Sequence, residues 1–153
     1  MRFDLPADLP KVHECRFPIR WGDMDILGHV NNATYFTYLE TARITWFVEI
    51  GCIPDPQGAG PVMINAFCNF INELTYPGDV VARQYLGAIG RSSFDVYATL
   101  ERADSPGVIC ASGGSRIVWS DLRLRKATPL PDSMRSILEK CKTQPANAIG
   151  ASA

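Results

Sequence analysis

Two aspartates, one histidine and two asparagines lie within ten consecutive residues of the stretch WGDMDILGHVNN: Asp23, Asp25, His29, Asn31 and Asn32. The most apolar segment with a helical period follows directly. The N-terminus of a helix presents unpaired backbone N–H groups at the positive end of the helix dipole. Such groups can bind an anion, or a carbonyl oxygen that becomes negative during a reaction. A carboxylate in the preceding loop can face the same point, which would allow acid–base or nucleophilic chemistry.

The same residues also have an ordinary structural explanation. An aspartate often accepts hydrogen bonds from loop amides, and an asparagine commonly caps a helix. Judged by residue type alone, this explanation is the more frequent one. The catalytic interpretation therefore depends on additional evidence from the rest of the chain.

The segment NNATYFTYLETARITWFVEIG has the pattern of a long helix. Apolar residues recur at steps of three and four, as in Tyr35, Leu39, Ala42 and Trp46. Asn31 or Asn32 suits the N-cap, and Gly51 suits the C-terminal stop. Because apolar residues cover most of the circumference, we expect this helix to be buried on most sides.

Extended segments surround this helix in the sequence. VHECRFPIRW precedes it, and Pro18 within that segment is typical of an edge strand or a bulge. Four further strand-like segments follow, and short turns between consecutive strands make them antiparallel. Gly113 and Gly114 in the last of them predict a bulge or a close backbone approach. We therefore predict an α+β fold in which a curved antiparallel sheet of about five strands wraps a long central helix.

The 153 residues and their composition indicate one globular domain. We predict an arm at residues 1–11, the main domain at 12–130, a short helix at 131–142 and a disordered tail at 143–153. A net charge of −1 favours neither nucleic acid nor an anionic membrane as a partner.

Cysteine usage and hydropathy bear on the compartment. The five cysteines are odd in number and form no CxxC pair, so neither a disulfide framework nor a zinc site is indicated. No apolar run reaches the roughly 18 residues of a membrane span, and the first residues lack the apolar core of a signal peptide. We expect a cytoplasmic location.

The stretch RWGDMDILGHVNNATYFTYLETAR resembles the signature of acyl-CoA thioesterases of the 4-hydroxybenzoyl-CoA thioesterase type, which have the hotdog fold. That signature contains an aromatic residue, then Asp-x-Asp-x-x-Gly-His/Ile-Val, and a tyrosine ten residues after the second aspartate. The matching residues here are Asp23, Asp25, Gly28, His29, Val30 and Tyr35. The YPGD turn, the GRSSF hairpin and the strand order extend the resemblance over roughly residues 12 to 120.

The resemblance implies a hotdog domain, dimers whose sheets join edge to edge and often pair into tetramers, and active sites at the subunit interface. The catalytic acid of the family corresponds to Asp25, acting as nucleophile or as general base. The backbone N–H that polarises the carbonyl corresponds to Asn32. The substrate would be an acyl-CoA, with no separate cofactor and no metal. Asp23 would then hold the loop.

Other residues are expected to contact the substrate. In view of the resemblance, His29 would be a strut or would line the pocket, and Tyr35 would belong to the pocket wall. Glu40 would point toward the acyl end or form an ion pair with Arg43, three residues further along the helix. In relatives, the hairpin that corresponds to Arg91, Ser92 and Ser93 lies near the nucleotide or pantetheine arm of coenzyme A.

The main alternative is a protein of the same fold that binds or senses acyl-CoA without turnover, although a binder has no need of a carboxylate at the reactive carbon. A hydrolase that uses Cys52 and His29 lacks an activating site for the thiol. Two histidines without ligand spacing argue against a catalytic metal. The His-Phe-Pro-Gly motif of hotdog dehydratases is absent. The predicted pocket wall fits either an aromatic or an aliphatic acyl group.

Overall fold

The computed structural model describes residues 3–143. It contains six strands, two α-helices and a short 3-10 turn: β1 (Lys11–Pro18), the turn Trp21–Asp23, α1 (Asn32–Glu49), β2 (Ala59–Phe70), β3 (Asp79–Ile89), β4 (Ser93–Arg102), β5 (Ile109–Asp121), β6 (Lys126–Ala127) and α2 (Asp132–Thr143). Strand, long helix and four successive strands follow one another in the predicted order.

All strands belong to one antiparallel sheet, in which the order of the main strands is β1-β3-β4-β5-β2. β1 lies at one edge, in agreement with Pro18, and β2 lies at the other. The sixth strand is β6, two residues that pair with the end of β5. The sequence interpretation gave about five strands because a two-residue strand has no periodicity to recognise.

Helix α1 begins and ends where its capping residues predict. The side-chain oxygen of Asn31 accepts a hydrogen bond from the N–H of Ala33 at the N-cap, and Gly51 takes a φ of 71° just after the C-cap. The face of α1 toward the sheet is buried. On its other side, Phe36, Ile44 and Val48 are exposed by 42%, 47% and 62%, so one chain does not cover the whole helix.

The core has two parts, one under each half of α1. The N-terminal half packs on small and aliphatic residues of β3, β4 and β5, together with Val30 and Leu74. The C-terminal half packs with Phe94, Trp119 and the apolar face of α2. The loop before α1 therefore rests on a buried apolar layer that holds it in place.

Gly113 and Gly114 mark a close approach and not a bulge. The pairing of β5 with β2 and with β4 passes through both residues without a shift. A Cβ atom added at Gly113 would lie 2.7 Å from both Leu39 Cδ1 and the carbonyl oxygen of Phe67. The missing side chain thus lets α1 lie close to the sheet.

The C-terminal helix α2 runs from Asp132 to Thr143, close to the predicted 131–142. Apart from Thr143, the predicted tail lies outside the described residues. Within residues 3–143, no helix is long and apolar enough to span a membrane.

Candidate active site

The first aspartate, Asp23, ties the loop to α1. Its Oδ2 accepts hydrogen bonds from the N–H of Arg20 at 2.8 Å and from the hydroxyl of Tyr38 at 2.6 Å. Its carbonyl oxygen accepts the N–H of Asn31 at 2.9 Å. Burial, together with the neighbouring Asp23 carboxylate, raises the pKa of the Tyr38 hydroxyl, so that this group stays a donor. Asp23 therefore has the structural role that we expected for it.

The second aspartate, Asp25, begins a tight turn. Its N–H donates to the carbonyl of His29, its carbonyl accepts the N–H of Gly28, and its Oδ1 accepts the N–H of Leu27 at 2.8 Å. Gly28 has a φ of 81°, a conformation that glycine adopts readily. Asp25 is half-buried, and its Oδ2 makes no hydrogen bond with residues 3–143. One carboxylate oxygen thus orients the side chain, and the other is unused.

The start of α1 leaves a single backbone donor free in its first three residues. The N–H of Ala33 donates to the Asn31 side chain, and the N–H of Thr34 donates to the Asn31 carbonyl. The N–H of Asn32 has no acceptor within the part of the chain that is described. This donor lies at the positive end of the helix dipole, where it favours an anion or a developing oxyanion.

Beside this donor lies a cleft of about 200 Å³, the site cleft, lined by His29, Val30, Asn32, Tyr35 and residues 70–73. His29 Nε2 is 3.1 Å from Glu73 Oε2, which holds the imidazole at the cleft wall. The Tyr35 hydroxyl accepts the N–H of Leu74 at 3.1 Å, and burial raises its pKa. His29, Asn32 and Tyr35 are therefore brought together as neighbours. Glu73 was not identified from the sequence, where it occurs as an ordinary loop acid.

Glu40 lies elsewhere, half-way along α1. It lines a cavity of about 170 Å³ between α1 and the sheet, which we call the mid-helix cavity. Its Oε1 is 3.7 Å from Arg43 Nη2, so the ion pair considered from the sequence is present as a long one. Phe36, Ala66 and Gly113 line the same cavity.

The hairpin residues Arg91, Ser92 and Ser93 lie at the opposite end of the sheet. We call the end with loop 19–31 and residues 70–79 the site end, and the end with turn 90–92 and α2 the hairpin end. Strand β4 leads from Ser93 at one end to Arg102 at the other, which is about 30 Å at 3.3 Å per residue. Within one chain, Arg91 and Asp25 therefore do not share a site.

At the hairpin end, the side chain of Arg91 is exposed and makes no hydrogen bond or ion pair with residues 3–143. The carbonyl oxygen of Ser92 accepts the N–H of Trp119, and that of Ser93 accepts the N–H of Gly90. The guanidinium of Arg91 thus remains available for a ligand or a partner chain.

Known proteins match this chain over most of its length. The sequence model of the thioesterase-like superfamily matches residues 19–138. The uncharacterized protein YsmA of Bacillus subtilis is 23% identical over 120 residues, which are 78% of this chain and 80% of that protein.

Solved structures show the same fold. The PA2801 protein of Pseudomonas aeruginosa, described as a proposed thioesterase, is 36% identical with a TM-score of 0.78, covering 82% of this chain and 97% of that one. The 1,4-dihydroxy-2-naphthoyl-CoA thioesterase Slr0204 of Synechocystis is 15% identical with a TM-score of 0.74, covering 82% of this chain and 93% of that one. The predicted hotdog architecture is thereby confirmed.

Proposed function

Because the chain belongs to the thioesterase-like superfamily and is a thioester hydrolase by its family, we propose that it hydrolyses an acyl-CoA to the free acid and coenzyme A. Asp25 supplies the nucleophile or the general base, and the N–H of Asn32 polarises the thioester carbonyl. The proposal is carried by two polar groups without hydrogen-bond partners in the described chain, seven residues apart in the loop and helix start. They are the free N–H of Asn32 and the free Oδ2 of Asp25.

The chemistry needs both groups. Attack on the thioester carbon moves an electron pair onto the carbonyl oxygen, and that oxygen becomes negative. A backbone donor aimed at this charge is worth about 3 kcal/mol of barrier. When the tetrahedral intermediate collapses, the thiolate of coenzyme A leaves. In one route, the carboxylate of Asp25 attacks the carbonyl carbon and forms an anhydride, which water then hydrolyses. In the other, Asp25 takes the proton of a water molecule that attacks the carbonyl carbon.

The residues around Asp25 and Asn32 have separate roles in this proposal. Asp23 and Tyr38 hold the loop in position. His29 and Tyr35 form walls of the site cleft beside the reacting carbonyl. Contact of Arg91, Ser92 and Ser93 with coenzyme A requires a second chain, because the hairpin end of one chain lies about 30 Å from its own site end.

We also propose a homodimer, or a homotetramer made of two such dimers, as the working form. Strand β2 is a sheet edge with exposed Met63 and Ile64, and α1 presents exposed Phe36 and Val48 nearby. An uncovered edge with apolar neighbours is a liability for a monomer. Light scattering at micromolar concentration should give a multiple of the 16.9 kDa chain mass. A monomer would contradict a site shared between chains.

The second candidate function is acyl-CoA binding without turnover. It would use the same cleft and the same hairpin, but the free carboxylate oxygen of Asp25 would have no task. A cytoplasmic location, proposed from cysteine usage, suits either function.

The decisive experiment is Asp25→Asn on one purified preparation, with melting temperature, acyl-CoA affinity and kcat measured together. The amide keeps the bond from Leu27 but lacks the charge. We expect unchanged melting and affinity, and a kcat lower by at least about 10²-fold.

A matched control is Asp55→Asn. The Oδ1 of Asp55 accepts the N–H of Gln57 at 2.9 Å, the same local bond as at Asp25, in the loop before β2. This variant should keep its kcat. A near-parent kcat in Asp25→Asn would eliminate Asp25 as the catalytic residue. A parent that binds acyl-CoA but hydrolyses none would favour the binding protein.

A further inference from the structure

The mid-helix cavity exists because small residues face α1 on neighbouring strands. Gln84 of β3 pairs with Ala98 of β4, and Ala98 pairs with Gly113 of β5, so the three form one row across the sheet. Ala98 and Gly113 line the cavity from the sheet, and Phe36 and Leu39 line it from α1. The resulting 170 Å³ compares with engineered cavities of about 150 Å³ that bind benzene. A medium-sized apolar group therefore fits this space.

Two polar side chains line the mid-helix cavity, Gln84 from the sheet and Arg43 from α1. Gln84 is 1% exposed, and its Nε2 makes no hydrogen bond with residues 3–143. The side chain of Arg43 is only 10% exposed, and within the same residues its guanidinium makes no hydrogen bond. Its single charged neighbour is Glu40, 61% exposed in solvent and 3.7 Å away. Burial lowers the pKa of Arg43, because few groups offset the lost hydration.

Buried donors without acceptors are costly, and in native proteins they commonly indicate a ligand or a functional role. A guanidinium forms its best hydrogen bonds with a carboxylate, whose two oxygens match two of its N–H groups. The Nε2 of Gln84 can supply a further donor to the same oxygens. Both groups thus favour an acceptor-rich, anionic partner inside an otherwise apolar space.

The mid-helix cavity lies further along α1 than the proposed reaction centre. Phe36 and Thr37 line it one turn after Asn32. Arg43 follows Asn32 by eleven residues, about 16 Å of helix rise, and helical side chains lean back toward the N-terminus. An acyl chain whose carbonyl lies at the N–H of Asn32 can therefore run beside α1 and end at Arg43.

We propose that the acyl group of the substrate ends in a carboxylate, bound by Arg43 and Gln84, so that the substrate is the coenzyme A monothioester of a dicarboxylic acid. This assignment rests on the proposed function. The methylene chain lies against Phe36, Ala98 and Gly113. Glu40, 61% exposed in the single chain, also lines the cavity and is 3.7 Å from Arg43.

The test compares acyl-CoAs of equal length with and without the terminal carboxylate: octanoyl against suberoyl, and decanoyl against sebacoyl. We expect the parent to favour the carboxylate member of at least one pair by about tenfold or more in kcat/KM. Arg43→Met should abolish that ratio, and Arg43→Lys should keep part of it. Arg16→Met, at an exposed arginine on β1, is the control and should keep the whole ratio.

A binding arm needs no turnover. Free suberate should raise the melting temperature of the parent, free octanoate should raise it less, and Arg43→Met should lose the response to suberate. If Arg43→Met does not fold, Arg43→Lys and Gln84→Met serve in its place, and each should reduce the ratio and the suberate response.

The outcomes separate the two proposals. A parent that hydrolyses octanoyl-CoA as well as suberoyl-CoA overturns the dicarboxylic assignment and leaves the thioesterase intact. If the parent hydrolyses neither substrate but suberate stabilises it through Arg43, the proposed thioesterase function is contradicted and the carboxylate-binding site is supported. A ratio unchanged in Arg43→Met, with a shifted dimer dissociation constant, would make Arg43 an interface residue and overturn the assignment.

Discussion

The backbone carbonyls of the hairpin turn and the polar groups at the start of α1 differ in how many of their hydrogen bonds are made. At the hairpin end, the carbonyl of Arg91 accepts the N–H of Leu130 and a guanidinium N–H of Arg135, and the carbonyl of Gly90 accepts a second bond from Arg135. Helix α2 thereby closes the turn. At the site end, the N–H of Asn32 and one carboxylate oxygen of Asp25 have no partner within the described chain.

This difference separates stability from reactivity. A polar group whose bonds are all made holds the structure and has little left for a ligand. A group that is oriented by one bond, with another atom free, can act on a substrate without reorganising. Asp23 and Asp25, two residues apart, show the same contrast. The Oδ2 of Asp23 accepts hydrogen bonds from Tyr38 and Arg20, whereas the Oδ2 of Asp25 accepts none within the described residues.

The largest expected effect on stability comes from Asp23→Ala. It removes a carboxylate that accepts two hydrogen bonds and leaves the hydroxyl of the buried Tyr38 unpaired. We expect the free energy of unfolding to fall by about 3 kcal/mol. Urea unfolding of Asp23→Ala and Asp25→Asn side by side measures the contrast. Equal stability of the two variants would contradict the division of roles.

At the hairpin end, Arg135→Ala should lower the free energy of unfolding by about 1.5 kcal/mol, because two hydrogen bonds from a charged donor are lost. Specific activity at saturating substrate should stay at the parent value, because Arg135 lies at the opposite end of the same chain from Asp25. A drop in kcat without a change in melting would show that the hairpin end takes part in the chemistry.

The variant Arg91→Ala tests whether the hairpin end of one chain contacts coenzyme A bound at the site end of another. If this exposed guanidinium meets a phosphate of coenzyme A bound at the site end of another chain, its loss costs about 1 kcal/mol. KM should rise about fivefold, with kcat near the parent value. The parent KM should also rise with salt, and less so in the variant. An unaltered KM would leave the hairpin a purely structural element.

The smallest effect is a pH dependence at Tyr38. Its pKa is raised in the folded protein by burial and by Asp23, from about 10 in the unfolded chain. A raised pKa gives stabilisation that is complete below the unfolded value and is lost as pH rises toward the folded one. Between pH 8 and pH 10, the stability difference between the parent and Tyr38→Phe should shrink by about 0.4 kcal/mol. Unfolding curves at both pH values test this, and a constant difference would contradict it.

Much of the fold follows from local patterns. The cap at Asn31, the stop at Gly51 and the apolar steps between them located α1, and short turns made the strands antiparallel. For Gly113 the sequence predicted either a bulge or a close backbone approach. The close approach is confirmed, because Leu39 of α1 occupies the space that a side chain at Gly113 would fill. β6 was missed because two residues carry no pattern.

The candidate site was predictable only in part. The crowding of Asp23, Asp25 and Asn32 is visible in the sequence, since all three belong to one loop and one helix start. Which aspartate is bonded and which has a free oxygen depends on Tyr38, fifteen residues away, and on the turn geometry. Gln84 gave no signal, because a single glutamine in a strand looks like any surface residue.

Local sequence patterns are sufficient to predict the two α-helices and the five main strands, the loop that carries the two carboxylates, and the helix N-terminus that follows it. Those features arise from neighbours along the chain, whose spacing sets which groups share a face or a turn. Only the tertiary structure placed Arg91 at the far end of the sheet from Asp25, and brought Arg43 of α1 and Gln84 of β3 into the lining of one cavity. Both results depend on strand register and on helix packing against the sheet, which bring together residues that are distant in the sequence.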